Sequence, residues 1–158
     1  MNWVDERFVF FEPQAKSDSE VIRILARALQ EAGFVKESFE EAVLQREQEF
    51  PTGLPTPEFG VAIPHTDPEH VLHPTIAVAI LKTPITFKEM GNPDSSVAVN
   101  LVCLLALEGT DYVTLLSQFV EAIQEKEFLH KVCTSRDAKE IALLFNSKLN
   151  FEPKEVTK

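Results

Sequence analysis

The chain has 158 residues, 44% hydrophobic and 25% charged, the make-up of one soluble globular domain able to build a core without disulfide or metal staples. Its 15 basic and 25 acidic side chains leave a net charge of −10, which argues against a protein that neutralises nucleic-acid phosphates or inserts into or settles on an anionic membrane. Asp5 and Glu6 stand where an export signal would be basic, and no run approaches the roughly 18 apolar residues of a membrane span. Cys103 and Cys133 lack the close spacing of a metal or redox motif, so two reduced core thiols in a cytoplasmic protein are expected.

In chain order, Ser17-Asp18-Ser19-Glu20 has the form of a capping box. Behind it Val21, Ile24, Leu25, Ala28 and Leu29 keep helical spacing, and Gly33 ends the helix. Ser38-Phe39-Glu40-Glu41 repeats the signal for a second helix, with Phe39, Ala42 and Val43 on one face, running to Phe50-Pro51. Pro51, Gly53, Pro55, Pro57 and Gly60 then fall within ten residues and predict a shaped loop without regular structure. Three apolar runs follow: Val61-Ala62-Ile63, residues 75–81 and residues 97–107. They read as strands covered on both faces. Thr110 caps a predicted helix carrying Tyr112, Leu116, Phe119, Val120 and Ile123, and Ser135 or Asp137 opens a last one with Ile141, Leu144 and Phe145. Helices before and after the strand cluster predict an α/β fold with a mixed β-sheet sandwiched between α-helices. We expect a single domain over residues 1–150 and a polar C-terminal tail over 151–158.

Three of the four histidines cluster: His65, His70 and His73, with Asp67 and Glu69 between them. A metal site built on His65, Asp67, His70 and His73 is conceivable in donor chemistry. Pro64, Pro68 and Pro74 break the segment, however, and remove the helical spacing that would aim two imidazoles at one ion. His65 stands apart because it follows the apolar run that ends at Pro64, and α/β proteins favour the carboxyl ends of strands for their chemistry. A neutral imidazole there is a competent nucleophile without a cofactor. His130, in a late helix beside Lys131, reads as a surface or capping residue.

The second helix carries an anomaly. Phe39, Ala42, Val43, Arg46 and Phe50 share one stripe, so the pattern aims an arginine inward. It is either half of an ion pair with Glu40, Glu41, Glu47 or Glu49, or part of an anion site with Thr52 and Gly53 supplying a hydroxyl and a backbone N–H. Arg46, Thr52, Gly53 and His65 together suit phosphoryl transfer to and from histidine, in which fixed donors stabilise charge on the transferred group.

These residues carry a resemblance. Arg46-Glu47-Gln48-Glu49-Phe50-Pro51-Thr52-Gly53, followed by Gly60-Val61-Ala62-Ile63-Pro64-His65, resembles the signature of the IIA proteins of the bacterial phosphoenolpyruvate-dependent sugar phosphotransferase system. The branch is the mannitol/fructose-type (EIIA type-2) superfamily, and the stretch is most like galactitol-specific IIA proteins. The order of elements matches over about residues 5–147. The resemblance implies that His65 is phosphorylated by the phosphocarrier HPr and passes the phosphate to a cysteine of a IIB partner, in indirect association with a IIC transporter. It implies that Arg46 steadies the phosphate, that Thr52 and Gly53 form its loop, and that no metal or other cofactor takes part. Many mannitol- and fructose-type members place a second histidine near the start of the helix after the last long strand. Here that region reads Gly109-Thr110-Asp111-Tyr112, so Tyr112 is either a weak substitute or a core residue. Leu54, Pro55, Phe59 and Val71, in the loops flanking His65, are candidates for an apolar docking rim. The rival readings are a IIA-like regulatory module and a metal-dependent hydrolase on the His65/Asp67/His70/His73 cluster.

Overall fold

Two fifteen-residue strands form the spine of the protein, seen in a computed structural model that describes residues 2–109 and 112–149. The described elements are β1 (Val4–Phe11), α1 (Asp18–Glu31), α2 (Phe39–Glu49), β2 (Gly53–Leu54), β3 (Gly60–Ala62), β4 (Thr75–Glu89), β5 (Asn92–Ala106), α3 (Tyr112–Ile123), α4 (Lys126–Thr134) and α5 (Ala138–Lys148). A single 3₁₀ turn covers Pro68–His70.

β4 and β5 pair antiparallel from Thr75 opposite Ala106 to Glu89 opposite Asn92. β1 lies parallel to β4, β3 lies parallel to β5, and β2 pairs antiparallel with β3. β2 also meets the far end of β4, with Gly53 opposite Glu89. The sheet is therefore mixed, and alternate side chains leave it on opposite faces. Ile76, Val78, Ile80, Leu101, Cys103 and Leu105 pack with Phe119, Leu129 and Phe145 of α3, α4 and α5. Ala77, Ala79, Leu81, Val102 and Leu104 pack with Leu25, Leu29, Phe39 and Val43 of α1 and α2. This is the helix–sheet–helix sandwich expected from the sequence, and both cysteines are buried and unpaired within it.

Several local expectations change. β1 is a strand where none was expected: its polar centre, Asp5-Glu6-Arg7, sits at a register shift between Val4 and Val9 that breaks the alternation a strand otherwise writes into a sequence. β4 extends well past its apolar run, because Ile85 and Phe87 bury one side only while the residues between them face outward, and β5 starts five residues before its run, with polar residues 92–96 paired to the far end of β4. The Pro-rich segment holds a two-residue strand, β2. Gly53 in that strand leaves no room for a side chain, since a Cβ there would come 2.6 Å from the Lys88 carbonyl oxygen.

The helix caps are uneven. Ser17 accepts the Glu20 N–H at 3.2 Å, while the Glu20 carboxylate accepts the Lys16 N–H instead of closing the box on Ser17. Gly33, at φ +84°, stops α1. Ser38 does not cap α2; its hydroxyl meets His70 Nδ1 at 2.8 Å. Asp137, rather than Ser135, caps α5, accepting from Lys139 and Glu140. The expected cap Thr110 and the tail at 151–158 lie outside the described residues.

Candidate functional site

His65 follows β3 by three residues, and the local backbone holds it there. The Leu105 N–H donates to the Pro64 carbonyl at 3.0 Å, and His65 makes a parallel bridge to Leu105 beside the end of β5. The imidazole is only 8% exposed. Its Nδ1 lies 2.8 Å from the Ile63 carbonyl oxygen. A carbonyl can only accept, so Nδ1 carries the proton and donates. Burial lowers the His65 pKa below its usual 6.5; the Ile63 bond pulls the other way, the Arg46 charge lowers it further, and Asp67 raises it. The ring is therefore neutral at neutral pH, with its lone pair on Nε2, a nitrogen able to attack an electrophilic phosphorus.

Arg46 is on the last turn of α2, and its charge reaches His65. The expectation that it points inward is corrected. Its side chain is 35% exposed, donates from Nη1 to Asp67 Oδ1 at 3.3 Å, and lies over the Phe50 ring at 5.5 Å. Phe50, expected on the same buried stripe, is 61% exposed, because the helix ends at Glu49 and the chain turns away at φ −132°, ψ 81°. The buried face of α2 is instead Phe39, Val43, Leu44 and Glu47. The inward charge is a glutamate.

Glu47 explains what Thr52 does. Its Oε2 accepts the Thr52 N–H at 2.9 Å and its Oε1 accepts the Thr52 hydroxyl at 2.8 Å, while Thr52 Oγ1 accepts the Ile63 N–H at 3.1 Å. The Thr52 hydroxyl, expected to face a phosphate, is thus committed inside the protein, as is the Thr52 N–H. Gly53 is held in the sheet, its carbonyl accepting from Met90 N–H at 2.8 Å. Burial pushes the Glu47 pKa up to about 7, against the two Thr52 bonds and with help from Asp18. Sequence reasoning passed over Glu47 as one acid among several. Its position four residues after Val43 and eight after Phe39 was the available signal.

Tyr112 meets His65 ring edge to face, with centroids 6.1 Å apart. Of the proposed rim, Val71 is buried, Leu54 and Phe59 are half-buried against the core, and Pro55 is exposed. The bare apolar side chains beside the site's own residues are Phe50, next to Arg46 on the chain's turn, and Val113, which is 67% exposed and follows Tyr112.

The four residues of the metal reading point to different partners. His65 bonds Ile63, Asp67 bonds Arg46, His70 bonds Ser38, and His73 packs edge-on against Phe34 at 5.9 Å. Among the described residues no group of three or more His, Cys, Asp or Glu is arranged to hold a metal ion. His130 is on the surface, paired with Glu58 at 2.8 Å. No helix among the described residues is long and apolar enough to cross a membrane.

Comparison with known proteins identifies the family and the fold. Residues 2–148 match the family described as "Phosphoenolpyruvate-dependent sugar phosphotransferase system, EIIA 2". The chain is 33% identical over 149 residues to multiphosphoryl transfer protein 1 of Escherichia coli K12, covering 90% of this chain but only 17% of that much longer protein. It is 27% identical over 117 residues to the galactitol-specific EIIA component of the same strain, covering 73% and 77% of the two chains. The E. coli mannitol IIA enzyme, solved in complex with phosphorylated IIB, superposes with a TM-score of 0.71 at 19% identity over 93% of this chain and 96% of that one; it shares the fold. With the family's pattern spanning nearly all of the described chain, and its sandwich built around a strand-end histidine, this protein belongs to the EIIA type-2 family of the phosphoenolpyruvate-dependent sugar phosphotransferase system.

Proposed function

We propose that this chain is a histidine phosphocarrier: His65 takes a phosphoryl group from phosphorylated HPr and hands it to the cysteine of a IIB component, on the cytoplasmic side of a sugar transporter. The observation that carries the reading is the Nδ1–H bond from His65 to the Ile63 carbonyl, which leaves the lone pair on Nε2 of a buried, neutral ring. In the first step the Nε2–P bond forms as the N–P bond of the donor's phosphohistidine breaks, and the donor imidazole keeps the electron pair. In the second the IIB thiolate sulfur attacks phosphorus, the S–P bond forms, and the Nε2–P electrons return to His65. No proton need cross to Nδ1 in either step. The positive charge that phosphorylation places on the ring is met by the Ile63 carbonyl dipole.

Arg46 is the group we assign to the phosphoryl oxygens. In the unphosphorylated protein it rests on Asp67, an exposed pair that is worth about 1 kcal/mol or less and is readily exchanged for a dianion. Thr52 and Gly53 act behind the site in this reading, as structure that holds it. Galactitol is the sugar we assign, on the Arg46–Gly53 stretch and the galactitol-specific relative. The IIB partnership rests on the mannitol enzyme's complex with its phosphorylated IIB.

The test is incubation with phosphoenolpyruvate, the general phosphotransferase enzyme and HPr, followed by mass spectrometry at neutral pH. One acid-labile phosphate on the wild type and none on His65→Ala is expected. A wild type that stays unmodified, or a His65→Ala variant that gains the phosphate, rejects the mechanism. Transfer onward to a galactitol IIB but not a mannitol IIB supports the assigned sugar, and the reverse preference removes it.

A further inference from the structure

Between α2 and His65 hydrogen bonds connect through Thr52 and the backbone of Ile63, a link that the phosphocarrier reading leaves unused. Glu47 is 8% exposed, yet both of its oxygens are occupied, each by a different donor of Thr52. Thr52 Oγ1 spends its proton on Glu47 and accepts from the Ile63 N–H; the Ile63 carbonyl then accepts from His65 Nδ1. One residue, Ile63, is thus gripped at its N–H by Thr52 and grips the imidazole with its carbonyl. We propose that Glu47 is a positioning residue for His65, whose ionised carboxylate locks Thr52 and Ile63 and thereby holds the imidazole as the Nδ1–H tautomer, with Nε2 ready to take phosphate. The inference rests on the phosphocarrier reading for its functional consequence but not for its structural one.

The charge state matters for a geometric reason. Thr52 offers Glu47 two donors, and only a carboxylate accepts on both oxygens. A neutral carboxyl carries a proton on one oxygen, so one of the two contacts becomes donor against donor unless the Thr52 hydroxyl turns its proton away. If it turns, Oγ1 accepts from both Glu47 and the Ile63 N–H while its own proton loses Glu47 as a partner, which loosens the hold on the Ile63 N–H and on the carbonyl beyond it. Glu47 faces Asp18 at the start of α1 and Lys88 of β4 across a cavity of about 190 Å³, which puts an acid, a base and Glu47 around one small space. On the other side of the relay Arg46, Asp67 and Tyr112 are the charged and titratable groups facing His65. Because burial brings Glu47 close to neutrality in its titration, the lock opens as pH falls through about 7. The imidazole, whose own pKa lies below 6.5, takes up its proton only at lower pH. Two separate limbs of a pH profile follow.

The experiment compares wild type, Glu47→Gln and Thr52→Ser by single-turnover phosphorylation from phosphorylated HPr between pH 5.5 and 8.5, and by ¹⁵N NMR of the histidine side chains. Glu47→Gln keeps the size and removes the charge. We expect it to slow the transfer step about tenfold at pH 8, the scale of one lost hydrogen bond, with half-saturating HPr unchanged within about twofold. The limb near pH 7 disappears, and the His65 ring reads as a mixture of tautomers in place of the single Nδ1–H form. Thr52→Ser retains the hydroxyl and the wild-type profile. A Glu47→Gln protein with the wild-type rate, the same two limbs and an unmixed Nδ1–H ring overturns the proposal. If the variant does not fold, the wild-type spectrum decides: tautomer mixing that grows from pH 8.5 to 6.5 supports the lock, and an unchanging ring overturns it. If the wild type accepts no phosphate, the phosphocarrier reading fails, while the spectra still decide whether Glu47 holds the ring.

Discussion

Replacing Glu47 with glutamine predicts a change in the pH dependence of folding. The carboxyl sits at about 7 in the folded protein against an ordinary 4.5, so the folded state binds this proton more tightly than the unfolded one. Below pH 4.5 both states are protonated and the site is neutral in the balance. As pH rises from 4.5 to 7 the unfolded chain releases the proton while the folded chain keeps it, and stability is lost across that window. At about 1.4 kcal/mol for each tenfold difference in proton affinity, the loss approaches about 3 kcal/mol by pH 8. Glutamine has no proton to lose. It does give up one good contact with Thr52, a pH-independent penalty of about 1 kcal/mol. Glu47→Gln is therefore expected to be the less stable protein near pH 4.5 and to equal or overtake the wild type near pH 8. Urea melts of both proteins at half-unit intervals measure this, and the difference between the two curves cancels the titrating groups that are not coupled to Glu47. Curves that stay parallel from pH 4.5 to 8 would refute the buried, desolvated carboxyl and the lock that depends on it.

Three further outcomes follow from named contacts. Arg46→Ala is expected to slow phosphoryl transfer to His65 roughly 10²-fold, about 3 kcal/mol of lost charge stabilisation, with no change in urea midpoint beyond about 1 kcal/mol because its Asp67 pair is exposed; stopped transfer at intervals reads the rate. Gly53→Ala is expected to lower stability by about 1–3 kcal/mol, since the new methyl would lie 2.6 Å from the backbone oxygen of Lys88 and must push β2 off β4; a denaturant midpoint reports it. Asn146→Ala removes a two-way clasp, in which the side-chain oxygen takes the Val4 N–H and its amide donates to the Val4 carbonyl, each at 2.9 Å. Faster hydrogen exchange at Val4 and in the following strand is expected, with about 1–2 kcal/mol lost overall.

Legibility in the sequence tracked burial on two faces. Residues 75–81 and 101–107 are covered from both sides, so their apolar runs announce strands. The outer halves of β4 and β5 are covered on one side only, and a register shift between Ile80 and Ile85, around Pro84, interrupts the alternation that would have extended them. β1 was hidden the same way. In α2 a stripe that includes Phe50 passes through Arg46, but the chain leaves the helix at Phe50, and the buried face passes through Glu47 instead. An inward charge was legible in principle, but which charge depended on where the helix ended.

The class of fold was legible in the residues alone, and so was the candidate that the proposed chemistry rests on, His65. Apolar runs covered on both faces mark the central strands, and a histidine just beyond one of them stands where α/β folds favour chemistry. The contacts around His65 come from the folded arrangement alone. Whether Thr52 faces a ligand or a buried carboxylate, whether His65 keeps its proton on Nδ1, and whether Arg46 rests on Asp67 all depend on hydrogen bonds between α2, the loop before β3 and the chain after it. Those bonds are set by distance and direction across separate segments, and neither is written in the order of residues along one of them.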